Sequence, residues 1–278
     1  MHDLNNLLFT LLIYIGSCSA GLLGSLTGLG GGVIVVPMLT VLFGVDFHYA
    51  AGASLISVIA TSSGAASTYV KEGYSNIRIG MFLEIATTIG AIIGALLTGI
   101  LSVQTISFIF SAILFYSAIS SLFFKKNDSN FTKENKYAKI FKLNGQYPTA
   151  EGKQSYSVQH VPFGFIVSSL AGIISGLLGI GGGAIKVIAM DRVMKIPFKV
   201  STTTSNFMIG VTAAASAGIY LKNGYIHAAL VMPVMLGVLT GAFLGTKILT
   251  VSSPKSLKII FTIIIVVMAY EMFKNGLK

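Results

Sequence analysis

Long apolar runs, separated by short polar turns, dominate the chain. In the first half they cover about 7–45, 49–70, 77–100 and 105–124, and in the second half about 161–190, 200–221, 226–249 and 256–273. Because a helix rises 1.5 Å per residue, a run of about 20 residues crosses a ~30 Å hydrocarbon layer once. The pattern predicts an all-α polytopic membrane protein with about eight membrane-spanning helices.

The two halves of the chain are copies of one unit. A shift of 151 residues aligns Ala20–Gly94 with Ala171–Gly245 without a gap, and 21 of the 75 aligned positions are identical. The glycine-rich stretch Gly28–Gly32 falls on Gly179–Gly183, so both copies contain the pattern GxGGG. We interpret residues 1–124 and 161–278 as homologous membrane repeats joined by a lysine-rich loop, residues 125–160.

The first apolar run of each repeat is too long for one crossing and contains the glycine cluster. Three consecutive glycines have low helix propensity and predict a broken helix there. If the broken run returns to its starting side, each repeat has five segments and the second repeat is inverted. With an external amino terminus, inverted repeats place 15 basic residues on the cytoplasmic side and 3 outside, whereas eight plain crossings give 12 against 6. Positive residues concentrate in cytoplasmic loops, which favours inverted repeats, with parallel repeats as the alternative.

Composition supports a membrane protein and removes other classes. The chain is 54% hydrophobic and 10% charged, with a mean hydropathy of +0.82, whereas soluble domains are about a quarter charged. Seven of the 19 basic residues lie in the central loop, which predicts that this loop is cytoplasmic. The alternative is that the loop contacts anionic lipid. We do not expect a nucleic-acid partner. One cysteine and four histidines offer little for a metal site, and no HExxH, GxSxG or Walker motif is present, so we expect neither an enzyme nor a cofactor.

The glycine clusters are the first candidate site. A helix break inside the membrane exposes backbone N–H groups at the start of the next helix, where the helix dipole favours an anion. The predicted donors are Gly30, Gly31 and Gly32 in one repeat and Gly181, Gly182 and Gly183 in the other. The alternative is that these glycines only permit a close helix crossing.

Two charged residues inside the apolar runs, Lys186 and Glu84, are further candidates for the site. Lys186 follows the second cluster, and its counterpart in the first repeat is Val35. An intramembrane lysine is costly, so we interpret Lys186 as an anion ligand or as the ion-pair partner of Glu84 or Asp191, with snorkelling to an interface as the alternative. Glu84 is a weaker candidate for proton coupling, because it lies only about seven residues into its run.

Hydroxyl and amide side chains cluster in the second run of each repeat. Ser54 and Ser57 in one repeat, and Ser205 and Asn206 in the other, are candidate substrate contacts. An alternative explains part of this cluster, since Ser201 or Thr202 could cap the helix after Pro197. Gly90 and Gly94, with their counterparts Gly241 and Gly245, have the four-residue spacing that brings helices close together, so we predict that they pack rather than react.

The repeated Ala-Gly-(x)6-Gly-x-Gly-Gly-Gly block, at Ala20–Gly32 and Ala171–Gly183, resembles the TauE/SafE sulfite exporter (TSUP) family. Pro37 and a length near 280 residues agree with this resemblance, although Ile188 replaces the proline in the second repeat. The resemblance implies a multi-pass plasma (inner) membrane permease that moves sulfite, thiosulfate, organosulfonates or related small anions, often outward. We expect alternating access around the two glycine breaks.

Alternatives are a permease for another small organic anion or a neutral solute, and a non-transporting accessory protein. The expected partners are a small anionic solute and the lipid bilayer. Substrate identity, direction, coupling ion and oligomeric state, a homo-oligomer included, are left open by the sequence.

Overall fold

A computed structural model describes residues 2–27, 31–71, 73–123, 135–149, 152–249 and 254–277. Helices dominate this part of the chain. The helices of the first half are α1 (His2–Thr27), α2 (Gly32–Pro37), α3 (Phe47–Lys71), α4 (Ile77–Leu97) and α5 (Val103–Phe123). Those of the second half are α7 (Val161–Leu178), α8 (Gly183–Ile188), α9 (Phe198–Lys222), α10 (Ala228–Leu249) and α11 (Pro254–Gly276). Between them lie α6 (Lys136–Ile140), β1 (Gly145–Thr149) and β2 (Gly152–Tyr156). The expectation of a helical membrane protein is confirmed.

In each half, the short helix that follows the glycine cluster runs back along the helix that precedes it. In the first half, α2 continues as a π-helical segment, Met38–Leu42, and runs back along α1, so that Phe43 packs against Phe9 with ring centroids 5.9 Å apart. In the second half, α8 continues as the π-helical segment Ala189–Val193 and brings Met194 back against Gly164 of α7. Each returning limb has about 11 residues, which span ~16 Å, roughly half of a hydrocarbon layer.

The helices of one half pack mainly on those of the other. The closest pairs are α1 with α10 and α4 with α7, and small residues line both interfaces. A Cβ atom on Gly90 or Gly94 would collide with the α7 backbone, at Ser169 and Ile173, and one on Gly241 would collide with the backbone of Cys18 in α1. The predicted packing role of these glycines is confirmed, and Gly245 is buried as well. Backbone contact of this kind is typical of close helix pairs in membranes.

Helices α3 and α9 occupy the centre and run in opposite directions. At one end, Tyr74, just after α3, accepts a hydrogen bond from Thr203 near the start of α9 (3.1 Å). At the other end, His48 near the start of α3 stacks on Tyr225, just after α9 (4.6 Å between ring centroids). Both helices are rich in serine, threonine, glycine and alanine. The helices that are long and apolar enough to cross a membrane by themselves, among the described residues, are α1, α4, α7 and α10.

The central segment, residues 125–160, is predicted from the sequence to be a loop. In its described part it contains α6 and an antiparallel β1–β2 hairpin. The hairpin is fixed to the start of α4, because the Asn76 side chain donates hydrogen bonds to the carbonyl of Leu143 (3.0 Å) and to the hydroxyl of Tyr156 (2.7 Å). It therefore covers the end of the helix bundle where α4 and α9 begin.

Candidate functional site

Gly32 of the first glycine cluster lies against the second cluster inside the bundle. A Cβ on Gly32, the first residue of α2, would lie 3.3 Å from the Cα of Ile180 in the second cluster. The Ser54 hydroxyl of α3 donates a hydrogen bond to the carbonyl of Gly179 (2.7 Å), which ties the first repeat to the second cluster. Gly32 and Ser54 of the first repeat thus pack against the second break.

The second cluster has a backbone that only glycine adopts easily. Gly179, Gly181 and Gly182 have φ angles of 69°, 73° and 66°, in the left-handed region. This conformation ends α7 and starts α8 within four residues. Gly181 and Gly182 also have no room for a side chain, since a Cβ on Gly181 would lie 2.7 Å from Ile209.

The amide groups of this cluster are buried without partners. In the part of the chain that the structure describes, the N–H groups of Gly181, Gly182 and Gly183 donate no hydrogen bond, and all three residues are buried. Buried backbone donors are almost always paired, so three in succession require an explanation. Such a row of donors at a helix start is the chemistry that binds an anion elsewhere in proteins.

The surroundings of the cluster are closed in this conformation. Val58 of α3 and Ile209 of α9 lie against Gly181, at 3.0 and 2.7 Å from the position of an added Cβ. These two side chains therefore cover Gly181 from α3 and from α9.

The first cluster is described only in part. Gly30 lies outside the described residues, whereas Gly31 and Gly32 are buried. Gly31 accepts hydrogen bonds from the N–H groups of Ile34 and Val35 (3.1 Å each), and Gly32 lies against Ser54 and Val58.

The predicted hydroxyl contacts support the backbone of the clusters. Like Ser54, Ser205 donates to a glycine carbonyl, that of Gly183 (3.2 Å). Ser57 instead donates to the carbonyl of Ser54 within its own helix (2.7 Å), and Asn206 is half-buried. The equivalent serines of the two repeats therefore both hold the second break.

The capping alternative for this region is wrong. Pro197 occupies the N-cap position of α9, and no side chain caps it. Ser201 donates to the carbonyl of Ile196 (3.3 Å), and Thr202 donates to carbonyls within its own turn. Proline sets the backbone for the helix start without help from a hydroxyl.

Lys186 lies fully inside the protein and faces Glu84. Its exposed fraction is 0%, and its Nζ atom is 3.9 Å from Oε2 of Glu84, which is 7% exposed. The ammonium also donates to the carbonyl of Met208 (3.3 Å) and to the hydroxyl of Thr212. Snorkelling is therefore wrong for Lys186, and of the two acidic partners considered the structure selects Glu84 over Asp191.

Three threonines that the sequence did not identify complete this buried cluster. Thr212 donates to Oε1 of Glu84 (2.6 Å), Thr88 donates to the same oxygen (3.2 Å), and Thr87 lies 3.4 Å from Thr212. Thr87 and Thr88 stand three and four residues after Glu84, a helical spacing that could have identified them. Thr212 could not have been found in this way, because it belongs to the other repeat.

Comparison with known proteins decides the family. The model of the family "Sulfite exporter TauE/SafE" matches residues 13–272, which include every residue of the site. The chain belongs to the TauE/SafE family.

Curated relatives of this TauE/SafE protein are described as membrane transporters. "Probable membrane transporter protein YunE" of Bacillus subtilis is 27% identical, over 97% of this chain and 98% of YunE. "Probable membrane transporter protein MJ0441" of Methanocaldococcus jannaschii is 28% identical, over 96% of each chain. No solved structure matches significantly. The family resemblance in the sequence is thus confirmed, and the TauE/SafE chain is a membrane protein of a transporter family.

Proposed function

We propose that this protein is a secondary transporter that exports small sulfur-containing anions, such as sulfite, thiosulfate or organosulfonates, across the plasma membrane. The observation that carries the proposal is the row of buried, unpartnered N–H groups at Gly181–Gly183, close to the only lysine buried among the described helices. Donors in that number, without acceptors, suit a ligand with several negatively charged oxygens. Membership of the TauE/SafE family supports the same class of substrate.

The binding site in this proposal uses both repeats. The amides of Gly30–Gly32 and Gly181–Gly183 provide donors, and Lys186 provides the positive charge. Ser54, Ser57, Ser205 and Asn206 provide hydroxyl and amide groups. Ser54 and Ser205, which now bond to glycine carbonyls, hold the second break in position until the anion enters.

Alternating access would follow from inverted repeats. The antiparallel course of α3 and α9 supports inversion, because parallel repeats would give these equivalent helices the same direction. Helix α1 corresponds to α7 in the repeat, and α4 corresponds to α10. Exchanging the two repeats therefore converts the pair α1–α10 into the pair α7–α4. Rocking of one repeat against the other would separate Val58 from Ile209 on one side of the membrane at a time.

The distribution of charge supports one orientation in the membrane. Arg78 near the start of α4, Lys199 near the start of α9 and the lysine-rich central segment lie at the same end of the bundle, which supports a cytoplasmic position for that end. Lys222, at the end of α9, lies at the opposite end.

Reconstitution tests this function. Purified protein in liposomes preloaded with unlabelled thiosulfate should exchange it for external radiolabelled thiosulfate. Lys186→Met removes the buried charge, and losing one hydrogen bond to a charged group weakens binding about 10- to 100-fold. The matched control is Lys222→Met, an exposed lysine at the end of α9, which should exchange at the wild-type rate.

Three results would contradict the proposal. Unchanged exchange by Lys186→Met would remove this lysine from the site. Wild-type protein that exchanges neither thiosulfate, sulfite nor organosulfonates would refute the substrate class. Exchange of a neutral solute or of carboxylates alone would favour the other permeases considered for this sequence.

A further inference from the structure

Among the described residues, the acidic side chain that faces Lys186 comes from the other repeat. Glu84 belongs to α4, in the first repeat, and Lys186 to α8, in the second. Neither charge has a counterpart at the equivalent position, where Met235 and Val35 stand. The Lys186–Glu84 pair therefore has no equivalent in the symmetry of the repeats, and it lies where the two repeats meet.

Hydrogen bonds fix one oxygen of Glu84 and leave the other without a donor. Oε1 accepts from the hydroxyls of Thr212 and Thr88. Oε2 is buried, and among the described residues it has no hydrogen-bond partner; Lys186 Nζ, at 3.9 Å, is too far away for a direct bond. Oε2 is thus the atom that can accept a proton without breaking an existing hydrogen bond.

Thr212 connects the two charges in a defined order. The Lys186 ammonium has only donors, so it donates to the Thr212 oxygen, and the Thr212 hydroxyl then donates to Oε1. Lys186 therefore reaches the carboxylate mainly through a hydroxyl. A ligand that attracts the ammonium can replace this indirect contact.

No further charge among the described residues of the neighbouring helices compensates this pair. α7 has no titratable side chain, and α8 has only Lys186. On α4 and α9 the other charged residues, Arg78, Lys199 and Lys222, lie in the first or last turn, and Tyr220 bonds to Thr98 and to α7 carbonyls. Asp191, in the π-helical segment after α8, has Arg192 and Lys195 as its charged neighbours. The buried net charge at this site is therefore set by Lys186 and Glu84 alone.

We infer that Glu84 and the transported anion compete for Lys186, and that Glu84 takes up one proton at Oε2 for each anion bound. Before binding, ammonium and carboxylate neutralise each other. An entering anion places a second negative charge beside one ammonium, which is strongly unfavourable in a buried site. A proton from the water on the entry side converts the Glu84 carboxylate to a carboxylic acid. The Lys186 ammonium then pairs with the anion alone.

Release reverses these events on the other side of the membrane. The anion leaves Lys186, the Oε2 proton passes to water, and the carboxylate pairs again with the ammonium. The empty carrier returns with a neutral pair. One anion and one proton therefore cross in the same direction, and net flux follows the product of their gradients. This inference rests on the proposed function, since it needs an anion at Lys186.

The experiment compares exchange with proton-driven accumulation in the same liposomes. Thiosulfate suits both measurements because it does not titrate near neutral pH, and valinomycin with equal potassium on both sides removes the membrane potential. Wild-type protein should accumulate thiosulfate about tenfold for an inside-alkaline gradient of one pH unit, as one coupled proton requires. An internal pH dye should report one proton per thiosulfate.

Glu84→Gln separates coupling from binding. This variant should keep thiosulfate exchange, since Lys186 is then free for the anion, and should lose the tenfold accumulation. Glu271→Gln is the matched control, because this carboxylate lies on α11, which packs mainly against α5, and it should behave as wild type. Retained exchange also shows that the variant is folded.

The outcomes distinguish the two proposals. Wild-type exchange without proton uptake, or full accumulation by Glu84→Gln, would overturn the coupling and leave the transporter proposal intact. Absence of any exchange by the wild type would overturn both. If Glu84→Gln fails to fold, the wild-type stoichiometry decides alone: one proton per anion supports the inference, and none refutes it.

Discussion

Replacing Gly181 by alanine tests the left-handed backbone and the close packing of the second helix break. The residue has a φ angle of 73°, and an alanine Cβ would lie 2.7 Å from Ile209 and 3.0 Å from Val58. The left-handed conformation costs a non-glycine residue about 1–2 kcal/mol, and overpacking costs about 1–3 kcal/mol more. We therefore expect Gly181→Ala to lower the free energy of unfolding by about 2–5 kcal/mol.

The assay is thermal unfolding in detergent, followed by far-ultraviolet circular dichroism because the protein has no tryptophan. One kcal/mol shifts the Tm of a chain near this size by about 2–4 °C, so the apparent Tm should fall by roughly 4–20 °C. Gly218→Ala is the matched control. Gly218 lies inside α9 with no atom near the position of a Cβ, and alanine should be neutral or stabilise that helix by up to about 1 kcal/mol.

A Gly181→Ala protein with the same apparent Tm as the wild type and normal thiosulfate exchange would contradict this prediction. It would mean that the backbone at residue 181 is not left-handed, or that the space beside it is open. Either result would also weaken the case for amides held in place by the break.

Three further changes test other contacts. Thr212→Val keeps the shape of the side chain but removes its hydroxyl from the buried ion pair, so stability should fall by about 1–3 kcal/mol; an unchanged Tm would argue against the bridge. Gly94→Leu would force α4 away from Ile173, and size-exclusion chromatography should show loss of the monodisperse protein. Tyr156→Phe takes an acceptor from Asn76 and should weaken docking of the β-hairpin by about 0.5–1.5 kcal/mol, measured as faster proteolysis within the hairpin. Burial raises the pKa of Tyr156 from 10.0 to about 12, so docking should be constant below pH 10 and be lost as the pH rises through about 12.

Helix positions and the helix break were predictable from the sequence. The apolar runs beginning at about 77 and 161 correspond to α4 and α7, because hydrocarbon requires backbone hydrogen bonds to be satisfied within each helix. The second break lies between Leu178 and Gly183, where three glycines make a helix unfavourable. Lys186 was identifiable as a residue of the candidate site, since a lysine within an apolar run is rare.

Contacts between the repeats were not predictable in the same way. The sequence left Glu84 and Asp191 as equal partners for Lys186, and the packing of α4 against α9 selected Glu84. That packing also assigned Thr212 to the pair and directed the Ser54 hydroxyl to Gly179. Hydropathy and glycine spacing describe one helix at a time, whereas these contacts join residues more than a hundred positions apart. Only the close approach of small-residue helices in the folded bundle determines which polar groups meet, because each buried group must find its partner wherever that packing places it.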